Sequence, residues 1–126
     1  MGEILHKNLS YKITGLLFKV HNSLGRFCKH NQYADALEIL FKEYKVKYKR
    51  EIEIPIVFNE IKLTGNKVDF LIADLIVLDV KCKKDITTKD YVQMKRYLRA
   101  ANKNLGIIVN FSEKSIKPQR ILNSNK

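Results

Sequence analysis

The chain has little of what would staple, anchor or subdivide a fold. Its 126 residues hold two cysteines, Cys28 and Cys82, without the paired spacing of a zinc site, so both are expected as free thiols in a reducing compartment. No apolar stretch reaches the roughly 18 residues of a membrane span, and the N-terminus lacks a signal-peptide apolar region. The expectation is a cytoplasmic protein with no membrane partner. No internal repeat or low-complexity linker interrupts it, which predicts one domain over 1–126. Acidic residues are also scarce, 13 against 24 Lys plus Arg, leaving a net charge of +11. Such a surplus on a small domain favours a polyanion over the role of a merely soluble basic protein. Tyr and Phe show no interleaved basic-aromatic stripe, so base stacking is not indicated.

What the chain does have is charge embedded in apolar sequence. In the run from Lys67 to Cys82, Asp69, Asp79 and Lys81 sit within two otherwise apolar segments. An unpaired carboxylate or ammonium in a core strand costs several kcal/mol, on the order of the whole stability margin. Two carboxylates and a lysine compensate one another only in part. A divalent cation between the carboxylates removes most of the repulsion and leaves the lysine free for an anion, which points to metal-assisted phosphodiester chemistry. Strand alternation puts Val77, Asp79 and Lys81 on one face, with Ile76, Leu78 and Val80 on the other. In the preceding strand Asp69 and Leu71 share a face, opposite Val68, Phe70 and Ile72. Both faces are largely apolar, the pattern of central strands covered on two sides. A tight hairpin around Asp74 joins these strands, and Asp69 can face Asp79 directly only if its loop has an odd number of residues.

Around this pair the spacing predicts a mixed sheet flanked by helices, an α/β (α+β) fold. Ile13, Leu16, Leu17, Val20 and Leu24 mark a helix ending near Gly25, and Tyr33, Ala36, Leu37, Leu40, Phe41 and Tyr44 a second, with Glu38 and Lys42 as a surface pair. Residues 46–58 read as a long edge-like strand interrupted at Pro55, its Lys and Arg side chains in water. Turns at Asn59-Glu60 and Thr64-Gly-Asn66 then make a three-stranded meander with 61–63 and the Asp69 strand. Thr87 or Thr88 caps a helix with Tyr91, Met94, Leu98 and Ala101 on its apolar stripe and Gln93 and Tyr97 on another face. Leu105 to Phe111 follows as a buried strand. Strand, crossover helix and strand predict that it lies parallel to the Asp79 strand. From about residue 113 a short return and a frayed basic tail are expected.

The ordered set of Asp69, Asp79-Val80-Lys81 and Gln93-x-x-x-Tyr97 resembles the PD-(D/E)XK nuclease superfamily, and more narrowly its G-x-x-E-x-x-Y (GxxExxY) protein family. The likeness extends to Leu9-Ser-Tyr-Lys-Ile13, Asn22-Ser-Leu-Gly25, Gln32-Tyr33, Gly65-Asn-Lys-Val-Asp-Phe70 and Leu105-Gly-Ile-Ile-Val-Asn-Phe111, most of the chain. It implies a restriction-endonuclease-like core and a magnesium- or manganese-dependent nuclease acting on DNA more than RNA, with homodimers on duplexes common among its members. It also implies an acidic residue before Tyr33, and there the chain departs. Aligned on Tyr33, Phe27 stands where the family name has Gly, and His30 where it has Glu.

By resemblance, Asp69, Asp79 and the backbone carbonyl of Val80 hold one cation, and Lys81 orients or activates the attacking water and offsets charge on the phosphate. Gln93 and Tyr97 position the strand. His30 is either a further ligand, suited to Mn or a softer metal, or a surface histidine in a variable loop. Asp35 and Glu38 could substitute for the missing carboxylate but read more simply as exposed helix residues. Lys81 has a plain alternative as an i,i+2 ion pair with Asp79, and Gln93 and Tyr97 as ordinary helix-surface residues. Lys47, Lys49, Arg50, Lys67, Lys83, Lys84, Lys95 and Arg96 form a candidate phosphate-tracking groove, or only solvate the fold. The alternative function is a nuclease fold that binds nucleic acid without cutting it.

Overall fold

A computed structural model of the chain describes residues 5–123. Helices α1 (Lys7–Leu24) and α2 (His30–Glu43) precede strand β1 (Tyr48–Glu53), the hairpin β2 (Ile56–Phe58) and β3 (Ile61–Leu63), and strands β4 (Lys67–Ile72) and β5 (Ile76–Lys81). Helix α3 (Thr88–Ala101) crosses to β6 (Leu105–Asn110), and β7 (Gln119–Leu122) follows. The main sheet runs β1-β4-β5-β6-β7, antiparallel except for the parallel β5–β6 pair that the α3 crossover requires.

Two apolar layers cover it. Ile13, Leu16, Leu17 and Val20 of α1, with Tyr33, Ala34, Leu37 and Phe41 of α2, pack on Phe70, Ile72, Ile76, Leu78 and Val80. On the opposite face Met94, Tyr97 and Leu98 of α3 meet Leu71, Val77 and Ile108. Central strands buried on both sides are what the doubly apolar runs demand. Gly25 ends α1 with φ 77 and donates to the His21 carbonyl at 2.8 Å, a left-handed-side turn that favours glycine. Tyr33 stacks on Phe111 at 4.3 Å and donates to the Gly25 carbonyl at 2.6 Å, which fixes the 25–29 loop leading into His30.

The β4–β5 loop consists of 73–75. Ile72 pairs with Ile76 and Phe70 with Leu78, a register that sets Asp69 opposite Asp79, as the odd loop requires. Ala73 (φ 53) and Asp74 (φ 59) supply the positive-φ turn.

Several sequence expectations are corrected. Residues 46–58 do not form one strand in a meander. β1 pairs with β4, whereas β2 pairs only with β3, in a separate two-stranded sheet. Pro55 cannot donate to a ladder, and the N–H of the preceding Ile54 bonds the Asn66 carbonyl at 2.8 Å, so the chain leaves the sheet there. Arg50 does not face water: it binds Asp35 at 2.7 Å and Glu38 at 2.8 Å and lies over the Phe70 ring. Glu38 therefore serves Arg50 and the Tyr48 hydroxyl (2.6 Å) rather than a surface pair with Lys42. Val68, expected beside Phe70, packs with the α3-side cluster, because the β1–β4 register skips Glu51 (φ 53) and Asp69 and the strand twists between them. Tyr97 belongs to the same buried cluster rather than to a separate helix face. The return after Asn110 carries β7, which no alternation pattern marked. Of the basic tail, residues 124–126 lie outside the described residues.

Candidate active site

The site forms where the β4–β5 ladder opens. Regular pairing stops at Phe70–Leu78, and beyond it the Asp69 carboxylate takes the place of a strand partner, with Oδ2 accepting the Val80 N–H at 2.7 Å. On the other edge of β5 the Lys81 carbonyl accepts from the Phe111 N–H at 2.9 Å. In a parallel ladder alternate residues face the partner, so Val80 turns both its N–H and its C=O toward β4, into the gap beside Asp69.

Asp79 is 5 % exposed. Its Oδ2 lies 3.0 Å from Lys81 Nζ in ion-pair contact, yet it is a fully buried oxygen that accepts no aligned hydrogen bond. Burial raises the Asp79 pKa to about 7, the Asp69 carboxyl pushes the same way, and Lys81 only partly opposes them. Lys81 Nζ donates to Gln93 Oε1 at 2.8 Å and stands 3.7 Å from Asp90 Oδ1. Burial works against its charge, but Asp79 and Asp90 outweigh it and raise its pKa above the ordinary lysine value. The Tyr97 phenol is also pushed up, by burial and then by Asp79, and stays a protonated donor at neutral pH.

His30, the first residue of α2, brings Nε2 to 3.3 Å from Asp69 Oδ1. It is therefore at the site and not in a remote loop. Asp35 and Glu38, the two proposed substitutes, are committed to Arg50 instead. His30, Lys67, Asp69, Asp79, Val80, Lys81, Cys82, Lys83, Gln93 and Tyr97 line one open depression of about 420 Å³. A larger, more apolar hollow of about 620 Å³ between α1 and β7 contains no carboxylate and no comparable cluster of charge. Lys47, Lys49, Arg50, Lys84, Lys95 and Arg96 are not part of the depression's wall.

The sequence reading overlooked Asp90. It is 5 % exposed, accepts the Thr87 N–H at 2.8 Å as the first-turn partner of that cap, and binds Lys83 Nζ at 2.9 Å while facing Lys81. Burial opposes its charge, but the Thr87 N–H and the two lysines lower its pKa below the usual carboxylate range. Its signal was the Thr87-x-x-Asp90 spacing of a capping box, in which an acid holds the helix start. Asn110, 1 % exposed, bonds both the N–H and the C=O of Lys83 and so shapes the turn after β5.

The model for the PD-(D/E)XK nuclease superfamily matches residues 7–121. The chain belongs to the PD-(D/E)XK nuclease superfamily. The superfamily is one of metal-dependent nucleases. The crystal structure of SSO0001 shares the fold, with a TM-score of 0.57 and 21 % identity over 76 % of this chain and 50 % of that one; the likeness thus spans half of SSO0001. No curated protein matches the sequence. Divalent metals are typical of PD-(D/E)XK nucleases. The buried Asp79 Oδ2, which accepts no aligned hydrogen bond and lies opposite Asp69, fits one such cation. Among the described residues no three His, Cys, Asp or Glu side chains form a metal cluster, so a cation here would rely on backbone oxygen, water and substrate for its remaining ligands.

Proposed function

We propose that this protein hydrolyses phosphodiester bonds in DNA, using a divalent cation held by Asp69, Asp79 and the Val80 carbonyl. The observation that carries this reading is the buried Asp79 Oδ2, which accepts no hydrogen bond although it sits opposite Asp69 and beside Lys81. Lys81 is shared with Gln93 and Asp90, so it only partly compensates this oxygen, and a cation between the two aspartates would complete it. A bound cation supplies Lewis-acid polarisation of the scissile phosphate and lowers the pKa of a coordinated water. Lys81, steered by Gln93 and Asp79, presents its ammonium to that water and to the charge developing on the phosphate oxygens. Asp90 and Asp79 keep the lysine protonated, so its role is to orient and neutralise. Tyr97 and Gln93 position the strand, and Lys67 and Lys83 at the rim attract its phosphates. We place the protein in the cytoplasm and in the GxxExxY family, with His30 replacing the family glutamate. A nitrogen ligand at that place favours Mn over Mg.

The same histidine favours a second reading, a nuclease fold kept as a nucleic-acid clamp, because His30 and not a carboxylate stands beside Asp69, and among the described residues no three His, Cys, Asp or Glu side chains form a metal cluster. The deciding experiment is cleavage of labelled single- and double-stranded DNA and of RNA with Mg or Mn at low salt, beside Lys81→Ala and His30→Glu. The proposal requires cleavage by the natural protein and its loss in Lys81→Ala with binding retained. Salt-sensitive binding without cleavage, and new Mg-dependent cleavage in His30→Glu, would establish the clamp.

A further inference from the structure

The β2–β3 hairpin presents an apolar face that lies outside both core clusters. Its cross-strand pairs Ile56–Leu63 and Phe58–Ile61 put four apolar side chains on one face, while Val57 and Lys62 take the other. Their exposures run from 40 % for Ile56 to 63 % for Phe58 and Ile61, and none of the four belongs to either core cluster. The hairpin is nonetheless held firmly. Its two-residue turn, Asn59-Glu60, has φ 50 and 67, and the Glu53 carboxylate clips its base by accepting the N–H groups of Gly65 and Asn66, both at 2.9 Å.

A track joins this platform to the aspartates. Gln93 lines both the active-site depression and the next one along α3, and Arg96 lines that second depression and a third, whose wall also holds Arg99, Ile56 and Val57. Arg96 and Arg99 are exposed and have no ion-pair partner among the described residues. From Gln93 to Arg99 the helix advances about 9 Å, about three stacked nucleotides of one strand.

We infer that the hairpin is a platform for unpaired bases: a single strand leaving the active site runs along α3 with its phosphates on Arg96 and Arg99 and stacks its bases on Phe58 and its apolar neighbours. The inference rests on the nuclease reading for the direction of the track and deepens it, because it names the substrate class as nucleic acid with unpaired nucleotides next to the cut. A duplex hides its base faces and offers the platform nothing, whereas an unpaired base has an apolar face for Phe58 and a phosphate for the arginines. A second copy of this chain is the poorer occupant, since it would bring the same arginines and a net charge of +11 against themselves.

The test is fluorescence anisotropy with a blunt duplex, and with the same duplex carrying a short overhang, in the absence of divalent metal so that cleavage plays no part. The natural protein should prefer the overhang. Phe58→Ser with Ile61→Ser should remove that preference, about tenfold in affinity, and leave blunt-duplex binding and the salt slope unchanged, whereas Phe58→Trp should retain or strengthen it. Arg96→Ala with Arg99→Ala should weaken all binding and lower the salt slope by about two. Unchanged overhang preference in the serine variant overturns the inference. So does a natural dimer that becomes monomeric in that variant while its overhang binding persists, which would assign the face to a second copy. If the natural protein cuts nothing with Mg or Mn yet keeps the Phe58-dependent preference, the nuclease reading fails and the platform stands.

Discussion

Asp79→Asn should make the protein more stable and inert at once. The carboxyl is raised from 3.8 to about 7 by burial and by Asp69 against the pull of Lys81, so ionising it in the fold costs roughly 4 kcal/mol, about three pKa steps at about 1.4 kcal/mol each. The sign follows from proton binding. The folded state holds this proton more tightly than the unfolded chain, so the destabilisation is absent below about pH 4, accumulates between about 4 and 7, and is complete above that. An amide of nearly the same shape removes the charge but also the partner of Lys81, leaving a net gain of about 1 to 2 kcal/mol at pH 8. For a chain of 126 residues this is a melting-temperature rise of about 4 to 8 °C. The assay is thermal unfolding of both proteins at pH 4 and pH 8, with and without Mn. Effects of other carboxylates cancel in the difference, which should be small at pH 4 and full at pH 8. Mn should raise the melting temperature of the natural protein at pH 8 and leave Asp79→Asn unmoved, because only a site that binds the ion gains by linkage. An Asp79→Asn protein that melts at or below the natural one at pH 8 would refute the reasoning, since Asp79 would then stabilise the fold as an ordinary ion pair.

Asp90→Asn removes a charge that serves Thr87, Lys83 and Lys81, and should cost about 2 kcal/mol at pH 7 by urea unfolding. Because the folded pKa of Asp90 is depressed, that difference should be present above the ordinary carboxylate range and vanish as pH falls through the folded value. His30→Glu puts a hard carboxylate oxygen where His30 Nε2 stands 3.3 Å from Asp69 Oδ1 and should tighten Mg binding about tenfold, read from Mg-dependent melting shifts; no gain would mean that position 30 does not reach the ion. Gly106→Ala would drive a Cβ into the Sδ and Cγ atoms of fully buried Met94 and should cost about 1 to 3 kcal/mol, with weaker strand binding as α3 moves Gln93 and Tyr97; unfolding and anisotropy measure the two effects.

Most of the architecture was legible along the chain because it is written in short periods. The three-and-four spacing of Ile13, Leu16, Leu17 and Val20 gave α1, the buried run at Leu105 gave β6, and the helix between β5 and β6 fixed their parallel pairing. The hairpin was legible only as far as its turn. Asn59-Glu60 marked a reversal, but the departure of β2 and β3 from the sheet depends on the Ile54–Asn66 hydrogen bond and the Glu53 clip, contacts between segments about a dozen residues apart. β7 carried no signal because an edge strand with only Ile121 buried needs no alternation.

By itself the sequence determined which charges had to be explained and the condition under which they meet. Asp69, Asp79 and Lys81 interrupt apolar strands, and alternation brings the two carboxylates face to face only across a loop of odd length; the fold supplies that loop as residues 73–75. Only the tertiary structure decided what surrounds them. His30 reaches Asp69 because Tyr33, wedged on Phe111 and bound to Gly25, aims the start of α2 at β4. Asp90 meets Lys81 and Lys83 because α3 lies across β5, and Arg99 shares one depression with Ile56 and Val57 of the hairpin. These contacts join residues far apart in the chain, and their free energy depends on the packing of whole elements, which no periodicity of a single segment records.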